Sequence, residues 1–469
     1  MGNIIREIFK HEVIGEDLKK SLLIMLNKIK DTGKIPDFMK VVNIHAIYKG
    51  KGEFTDLESE RGIFIVTILR TILMKMIYED KYPTIDKSMS DSNIGARKKK
   101  NIRNHIYVVN SVIHDVLSSK NKEPIDIMVL DYKQMFDSEC LYECLNDVFE
   151  AGVDDDYFPL LYEANKEAFV AVKTPGGLSR REIFPEIVMQ GDVMAPLISS
   201  LQVDTMGKEC LVMKKHLYMY KDMVPIPPLG LVDDLLTIST CGVKTTLLNR
   251  FINTKSALKK LQFGTSKCVK LHTGKTRSQF ICKDQKVDSW KVKVETNPVT
   301  GDIYQSEVYA GQEVMENKGE QLYLGDVITS NGKCDMNIQR RKNKSIGIIN
   351  QIIEIMKSTH FGKYFFEVAM VLRSSLLLNS ILMNSEAWID LTNKNIRILE
   401  QIDESFLSKI LETESKTSNA IKYLELGIYP IRFEVMKRKV IFLQHILKQE
   451  KNIHDLSSFK SYVGKSNKT

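Results

Sequence analysis

The chain has 469 residues, 43% hydrophobic and 27% charged, with 67 lysines and arginines against 59 aspartates and glutamates for a formal net charge of +8. At roughly 150 residues per domain the length points to about three domains or subdomains, and the apolar content excludes an intrinsically disordered chain. The modest positive excess fits a protein that meets a polyanion over part of its surface.

Taken in chain order, the apolar spacing predicts helices over 16–30 and 64–79, with a strand at Val41 to Tyr48 and a basic loop, Lys49-Gly50-Lys51-Gly52, between them. A second long helix is expected over 102–118. The apolar run Ile125 to Leu130 suits a strand buried on both faces, and it ends on Asp131. Helix is expected over 138–150, a hairpin over 168–189 with Pro175-Gly176-Gly177 at its turn, and helix again over 193–212. A strand from Pro225 to Val232 reaches Asp233-Asp234, and Leu235 to Thr240 leaves it, the pattern of a tight hairpin with two aspartates at its tip. Helix over 244–260 and a strand from Gln321 to Thr329 follow. From Asn337 onward the pattern is helical, with Ile346, Ile349, Ile353 and Met356 on one face and Ile396, Leu399, Asp403, Phe406 and Ile410 on another. Strands mixed with helices before about 335, and helices alone after it, predict an α+β body with a C-terminal helical module. The longest apolar stretch, Val368 to Met383, is broken by Arg373 and Asn379 and reads as a buried helix, so no membrane partner is expected. An N-terminus without the apolar core of a secretory signal, and seven cysteines at scattered spacings, point to an intracellular protein of the nucleus or cytoplasm with reduced thiols.

Aspartates at strand ends have a specific chemistry open to them. Nucleotidyl transfer uses two divalent metals about 3.5–4 Å apart, one on the attacking hydroxyl and one on the leaving phosphates. Magnesium keeps its waters and is held by one or two carboxylates plus substrate phosphates. Asp131 ends the first buried strand, and Asp233 and Asp234 sit at the later hairpin tip. If the strands are neighbours, the carboxylates converge. Aspartate is also a common turn residue, so the argument turns on the order of these elements and on what surrounds them.

Five blocks in order resemble the motifs of reverse transcriptases of the non-LTR, LINE-like retrotransposon family. They are Asp131-Tyr132-Lys133-Gln134-Met135-Phe136-Asp137, Gln190-Gly191-Asp192-Val193-Met194-Ala195-Pro196-Leu197, Leu231-Val232-Asp233-Asp234, Leu261-Gln262-Phe263-Gly264 through Lys267, and Leu322-Tyr323-Leu324-Gly325. Upstream, Ile47 to Gly52 with Arg61-Gly62-Ile63, and Ser92-Asn93-Ile94-Gly95-Ala96-Arg97, look like the fingers of that group; Leu382 through Trp388 with Leu391-Thr392 resembles its thumb. The resemblance covers roughly residues 35–450. It implies a right-hand polymerase with fingers, a palm of antiparallel sheet packed on helices, and a helical thumb. It divides the chain into an N-terminal extension and fingers over 1–124, a palm over 125–335 that includes the 168–189 hairpin, a thumb over 336–450 and a tail over 451–469.

The resemblance further implies RNA-directed DNA polymerase activity, with two Mg²⁺ ions (Mn²⁺ as the alternative) on Asp131, Asp233 and Asp234, and Lys267 as general acid. Lys49 and Arg61 would grip the triphosphate, Phe136 would form the steric gate under the sugar, and Gln190 and Gly191 would lie over the template base. Arg97, Leu322, Tyr323, Gly325, Arg340 and Arg341 would meet nucleic acid. Implied partners are an RNA template, a DNA primer, dNTPs and element RNA in a ribonucleoprotein. The chain departs from the family at Leu231, where Tyr or Phe is usual, at Ala195, at Gln134 and Met135, and at Asn93, where Gln is usual. Alternatives are a non-catalytic, maturase-like RNA-binding protein and a decayed retroelement fragment, since both ends look cut. Cys241, Cys268, His272 and Cys282 lack the paired spacings of a zinc site. Cys140 and Cys144 read as core, and His45, His105 and His114 as structural.

Overall fold

The computed structural model describes residues 12–455 except 51, 54–55, 57–58, 120–124, 131, 134–140, 175, 187, 212–216, 222–223, 241–269, 272–276, 282–290, 297–302, 310–319 and 415. The chain divides into two compact units. The first comprises residues 1–100, 125–278 and 288–317, and the second 101–124, 279–287 and 318–469. The helix over 102–118, expected with the N-terminal region, groups with the C-terminal unit. Strands and helices mix throughout the first unit, while the C-terminal part of the second is helical, so the chain is α+β.

In the first unit, helix α1 (Glu12–Thr32) leads to strand β1 (Val41–Tyr48), which pairs antiparallel with β2 (Glu60–Val66). Helix α2 (Ile68–Ser88) follows at once. The helix expected over 64–79 thus starts four residues late. The β-branched and aromatic run Ile63 to Val66 joins the sheet, and Thr67, in extended conformation, caps the helix by accepting from the Arg70 amide. Helix α3 (Ile102–Ser118), in the second unit, has the expected bounds. Back in the first unit come β3 (Ile125–Leu130), α4 (Leu141–Glu150), α5 (Tyr157–Asn165), β4 (Lys166–Thr174), β5 (Gly177–Leu178) and β6 (Glu182–Glu186). Then follow α6 (Ala195–Leu211), β7 (Leu229–Leu231) and β8 (Asp234–Thr240).

One sheet runs β2-β1-β4-β5, with β6 also on β4, and β1 and β4 are parallel. Its covered face is Val42, Phe64, Ala168, Val170 and Met189. In a second sheet β8 lies between β7 and β3. The helices share a core in which Leu26 and Ile29 meet Leu73, Met74 and Ile77, and these meet Cys144, Leu145, Leu160, Leu161, Leu197 and Leu201. Cys144 is core, as its helical position suggested.

In the second unit the strand expected from Gln321 to Thr329 is a hairpin, β9 (Glu320–Tyr323) and β10 (Asp326–Thr329). Leu324 and Gly325 both have positive φ, +46° and +86°, which closes a two-residue turn. Helix α7 (Asp335–Ser358) buries Ile338, Ile349, Ile352 and Met356, while Ile346, expected on that face, is 60% exposed. Its spacing to Ile349 is right, but the core lies toward Ser345 and Ile352. Helix α8 (Asn393–Ile410) buries Leu399, Asp403, Phe406 and Ile410. Its polar member is explained. Asp403 accepts both Arg373 Nε and Nη2 at 2.7 Å, a bidentate pair buried with the Tyr423 hydroxyl. Arg373 opens a six-residue π segment, Arg373–Leu378, in the stretch Gly362–Ile381. Among the described residues that stretch alone is long and apolar enough to cross a membrane, and its arginine is turned into the bundle.

Candidate active site

The first unit brings the carboxylate strands together. β3 and β8 pair antiparallel from Ile125↔Thr240 to Leu130↔Leu235. Leu130 directly precedes Asp131 in sequence, and Leu235 directly follows Asp234. The assignments of Asp131, Phe136 and Lys267 lie outside the described residues, as do Cys140, Cys241, Cys268, His272 and Cys282. On the other side of β8, Leu231 pairs with Asp234, so Val232 and Asp233 form the turn. Asp233 is exposed there, and Leu231 and Asp234 are half-buried. Carboxylate oxygens at an open turn suit a hard divalent cation. Among the described residues no group of three His, Cys, Asp or Glu could by itself hold a metal.

The turn is strained. Val232 has φ +52°. A β-branched residue in that region is a true outlier, costing on the order of 1–3 kcal/mol, and such strain concentrates at functional sites.

The loop 90–97 lies against this turn. Ile94 N donates to Gly230 O at 2.9 Å, and Gly230 N to Ser92 O at 3.1 Å. The expectation that Arg97 meets nucleic acid is corrected here. Its side chain is 4% exposed and donates to Asp86 Oδ1 at 2.7 Å, Asp86 O at 2.9 Å, Ser90 O at 2.5 Å and Asn93 O at 2.8 Å. With its donors spent on the protein, Arg97 ties the loop to the end of α2.

The Gln190-Gly191 block docks on β2. Phe64 N donates to Gln190 O at 3.2 Å, and a Cβ on Gly191 would stand 2.5 Å from Phe64 O. Gly191 has φ +112°, so this close approach needs glycine twice over. Asp192 is buried, accepts Arg70 Nε at 2.7 Å and caps the amide of Met194 ahead of α6. Arg70 also donates to Ala164 O and to Asn165 Oδ1. Sequence reasoning missed this anchor. Its only signal was an aspartate just ahead of a helix, where Asp commonly accepts the backbone amide two residues on. Lys49 and Arg61 are both exposed on the β1–β2 hairpin, Arg61 paired with Ile47 and the Lys49 amide bonded to Ser59 O at 2.8 Å.

In the second unit, Leu322 is 54% exposed, whereas the expectation that Tyr323 meets nucleic acid is corrected: its side chain is 2% exposed with its hydroxyl 3.1 Å from His105 Nδ1. His105 is therefore structural, with Tyr323 as its partner. Arg340 is exposed, but Arg341 is corrected to an internal anchor. It is buried, and its Nη2 donates to Asp326 Oδ1 at 2.7 Å and to Gly325 O at 3.0 Å. Asp326 also accepts Trp388 Nε1 at 2.9 Å, and Asn384 Nδ2 donates to Leu324 O at 3.1 Å. The β9–β10 turn is thus clamped by the segment that resembles a thumb.

No protein-family model matches the chain. No curated protein matches it. Among solved structures it is similar to apo telomerase from Candida tropicalis truncated from its C-terminal domain, at 12% identity and a TM-score of 0.37, covering 60% of this chain and 59% of that one. It is similar to telomerase from Candida albicans in complex with a TWJ fragment of telomeric RNA, at 11% identity and a TM-score of 0.41, covering 89% and 71%. Apo telomerase from Candida tropicalis gives 10% identity and a TM-score of 0.43, covering 90% and 67%. The chain spans 59% of the first of these chains.

Proposed function

We propose that this chain is a right-hand, RNA-directed DNA polymerase of the non-LTR reverse transcriptase kind, adding dNTPs to a primer 3′-hydroxyl on an RNA template. One observation carries the reading: the β3–β8 ladder ends at Leu130↔Leu235, next in sequence to Asp131 and Asp234. Continued in the same register, the two strands would bring these residues together. Asp131, Asp233 and Asp234 are then the residues to hold Mg²⁺. When bound, the metals would lower the charge on the phosphates and activate the primer hydroxyl.

The chain's own side chains supply the rest. Lys49 and Arg61, exposed on one hairpin, offer a point charge and a planar fork to triphosphate oxygens. Gly191, exposed beside Gln190, offers its backbone to a nucleotide, while Phe64 O fills the space that a Cβ would take. Phe136 excludes a 2′-hydroxyl by its bulk, and Lys267 donates a proton to the departing pyrophosphate. The hairpin turn at Leu324-Gly325 meets the primer, and Arg340 meets the duplex backbone. The maturase-like alternative keeps the same hand and binds RNA without chemistry.

The test is primer extension on poly(rA)/oligo(dT) with and without Mg²⁺. Parent protein should extend only with the metal. Asp233→Asn should cut extension by orders of magnitude while RNA binding holds. Extension at the parental rate in that variant would remove the site assignment, and RNA binding with no extension by the parent would favour the maturase-like reading.

A further inference from the structure

The aspartate turn is held in a conformation its own sequence disfavours. Left-handed backbone at Val232 persists only where the surroundings over-determine it. Those surroundings come from loop 90–97 and from Ser200 on α6. Asn93 is 2% exposed and pairs with Gly230 as a parallel bridge. Its Nδ2 donates to Ser200 O at 2.7 Å, and its Oδ1 accepts Gly95 N at 2.9 Å and Ser200 Oγ at 3.0 Å. The Ser200 hydroxyl, fully buried, also lies 2.9 Å from Gly95 O. A Cβ on Gly95 would overlap both Ser200 Oγ and the Val232 amide nitrogen. The absence of a side chain there is what lets the turn sit down on the loop. The loop is itself fixed at both ends: Arg97 ties it to Asp86, and the Ser90 amide donates to Asp204 at 3.0 Å.

We propose that Asn93 and Ser200, with Gly95 as the contact surface, are positioning residues. They form a buried polar platform that holds the Val232 backbone left-handed and so aims the Asp233 carboxylate at its metal. This rests on the proposed metal role of Asp233. Neither residue touches nucleotide or metal in this scheme, and each acts through the turn. Residues that orient a ligand without touching the metal commonly set metal affinity by about 10–100-fold.

The experiment is Mn²⁺ binding to the full chain, followed by electron paramagnetic resonance, with melting temperature measured alongside. Parent should bind Mn²⁺ and Asp233→Asn should lose that binding. Ser200→Ala, which deletes one hydroxyl, and Asn93→Ala should each weaken Mn²⁺ binding about tenfold or more. Val232→Gly should recover part of the loss in the Ser200→Ala background, because glycine takes positive φ without support. If Asp233→Asn loses Mn²⁺ while Ser200→Ala and Asn93→Ala bind it like the parent, the platform is structural only, the positioning role falls and the metal site stands. If Asp233→Asn binds Mn²⁺ like the parent, the metal role of Asp233 falls and this inference with it. Should Asn93→Ala fail to fold, the Ser200→Ala result decides, with or without relief by Val232→Gly.

Discussion

Asp147 on α4 shows how a single side chain couples the fold to pH. Burial pushes its carboxyl up to about 7, with Glu150 and Glu143 adding to the shift and the Thr205 hydroxyl and Lys208 opposing it. Between the ordinary aspartate range near 4 and about 7, the folded state keeps a proton that the unfolded chain has released. The stability this contributes is therefore full below about 4 and is lost as pH rises through 7. Asp147→Asn should melt a few degrees above the parent at pH 8, and the gap should close as pH falls toward 4. A constant gap across that range would mean that the charge is not what the fold resists. Nothing in the sequence marks this aspartate; it is one acid on an amphipathic helix until the packing of α6 against α4 half-buries it.

At the scale of elements, the Gln190-Gly191 segment and β2 form one device, since a backbone hydrogen bond and a close backbone approach join them. Gly191→Ala places a methyl 2.5 Å from Phe64 O on a residue at φ +112°. The conformation alone costs about 1–3 kcal/mol, and the overlap forces the segment off the strand. Thermal melting should show at least that loss, and extension by the folded fraction should drop more than RNA binding does. Element identity was largely legible from the sequence. The strand from Val41 to Tyr48, the helix from Ile102 to Ser118 and the strand from Ile125 to Leu130 occur with the expected bounds. The errors fell where one apolar run served two elements, as where the strand expected from Pro225 to Val232 forms only over Leu229–Leu231, with Val224–Pro225 a separate strand. Residues 64–66 have helix-compatible spacing but pair with β1, and residues 321–329 are two strands because Leu324 and Gly325 turn left-handed.

Across the whole molecule, positive charge divides into cations that face solvent and cations spent inside. Arg340, Lys342 and Lys344 on α7 are exposed, while Arg341 between them is buried against Asp326. Neutralising Arg340 and Lys344 should flatten the salt dependence of RNA binding by roughly one unit of slope per lost contact. Arg341→Met should leave the slope unchanged and cost about 3–5 kcal/mol, because it strands a buried carboxylate. Equal slopes in both variants would place α7 away from the nucleic acid. The sequence by itself determined the α+β character, the order of the carboxylate-bearing elements and the hairpin that presents Asp233, since these follow from local periodicity and turn chemistry. Only the tertiary structure decided which of several like residues are available. Arg97 and Arg341 read like their basic neighbours, Asn93 reads only as a departure within its block, and Ser200 as an ordinary helix polar residue. What separates them is burial and hydrogen-bond partners distant in sequence, as between Asn93 and Ser200, and no local pattern encodes the pairing of segments that meet only when the chain is folded.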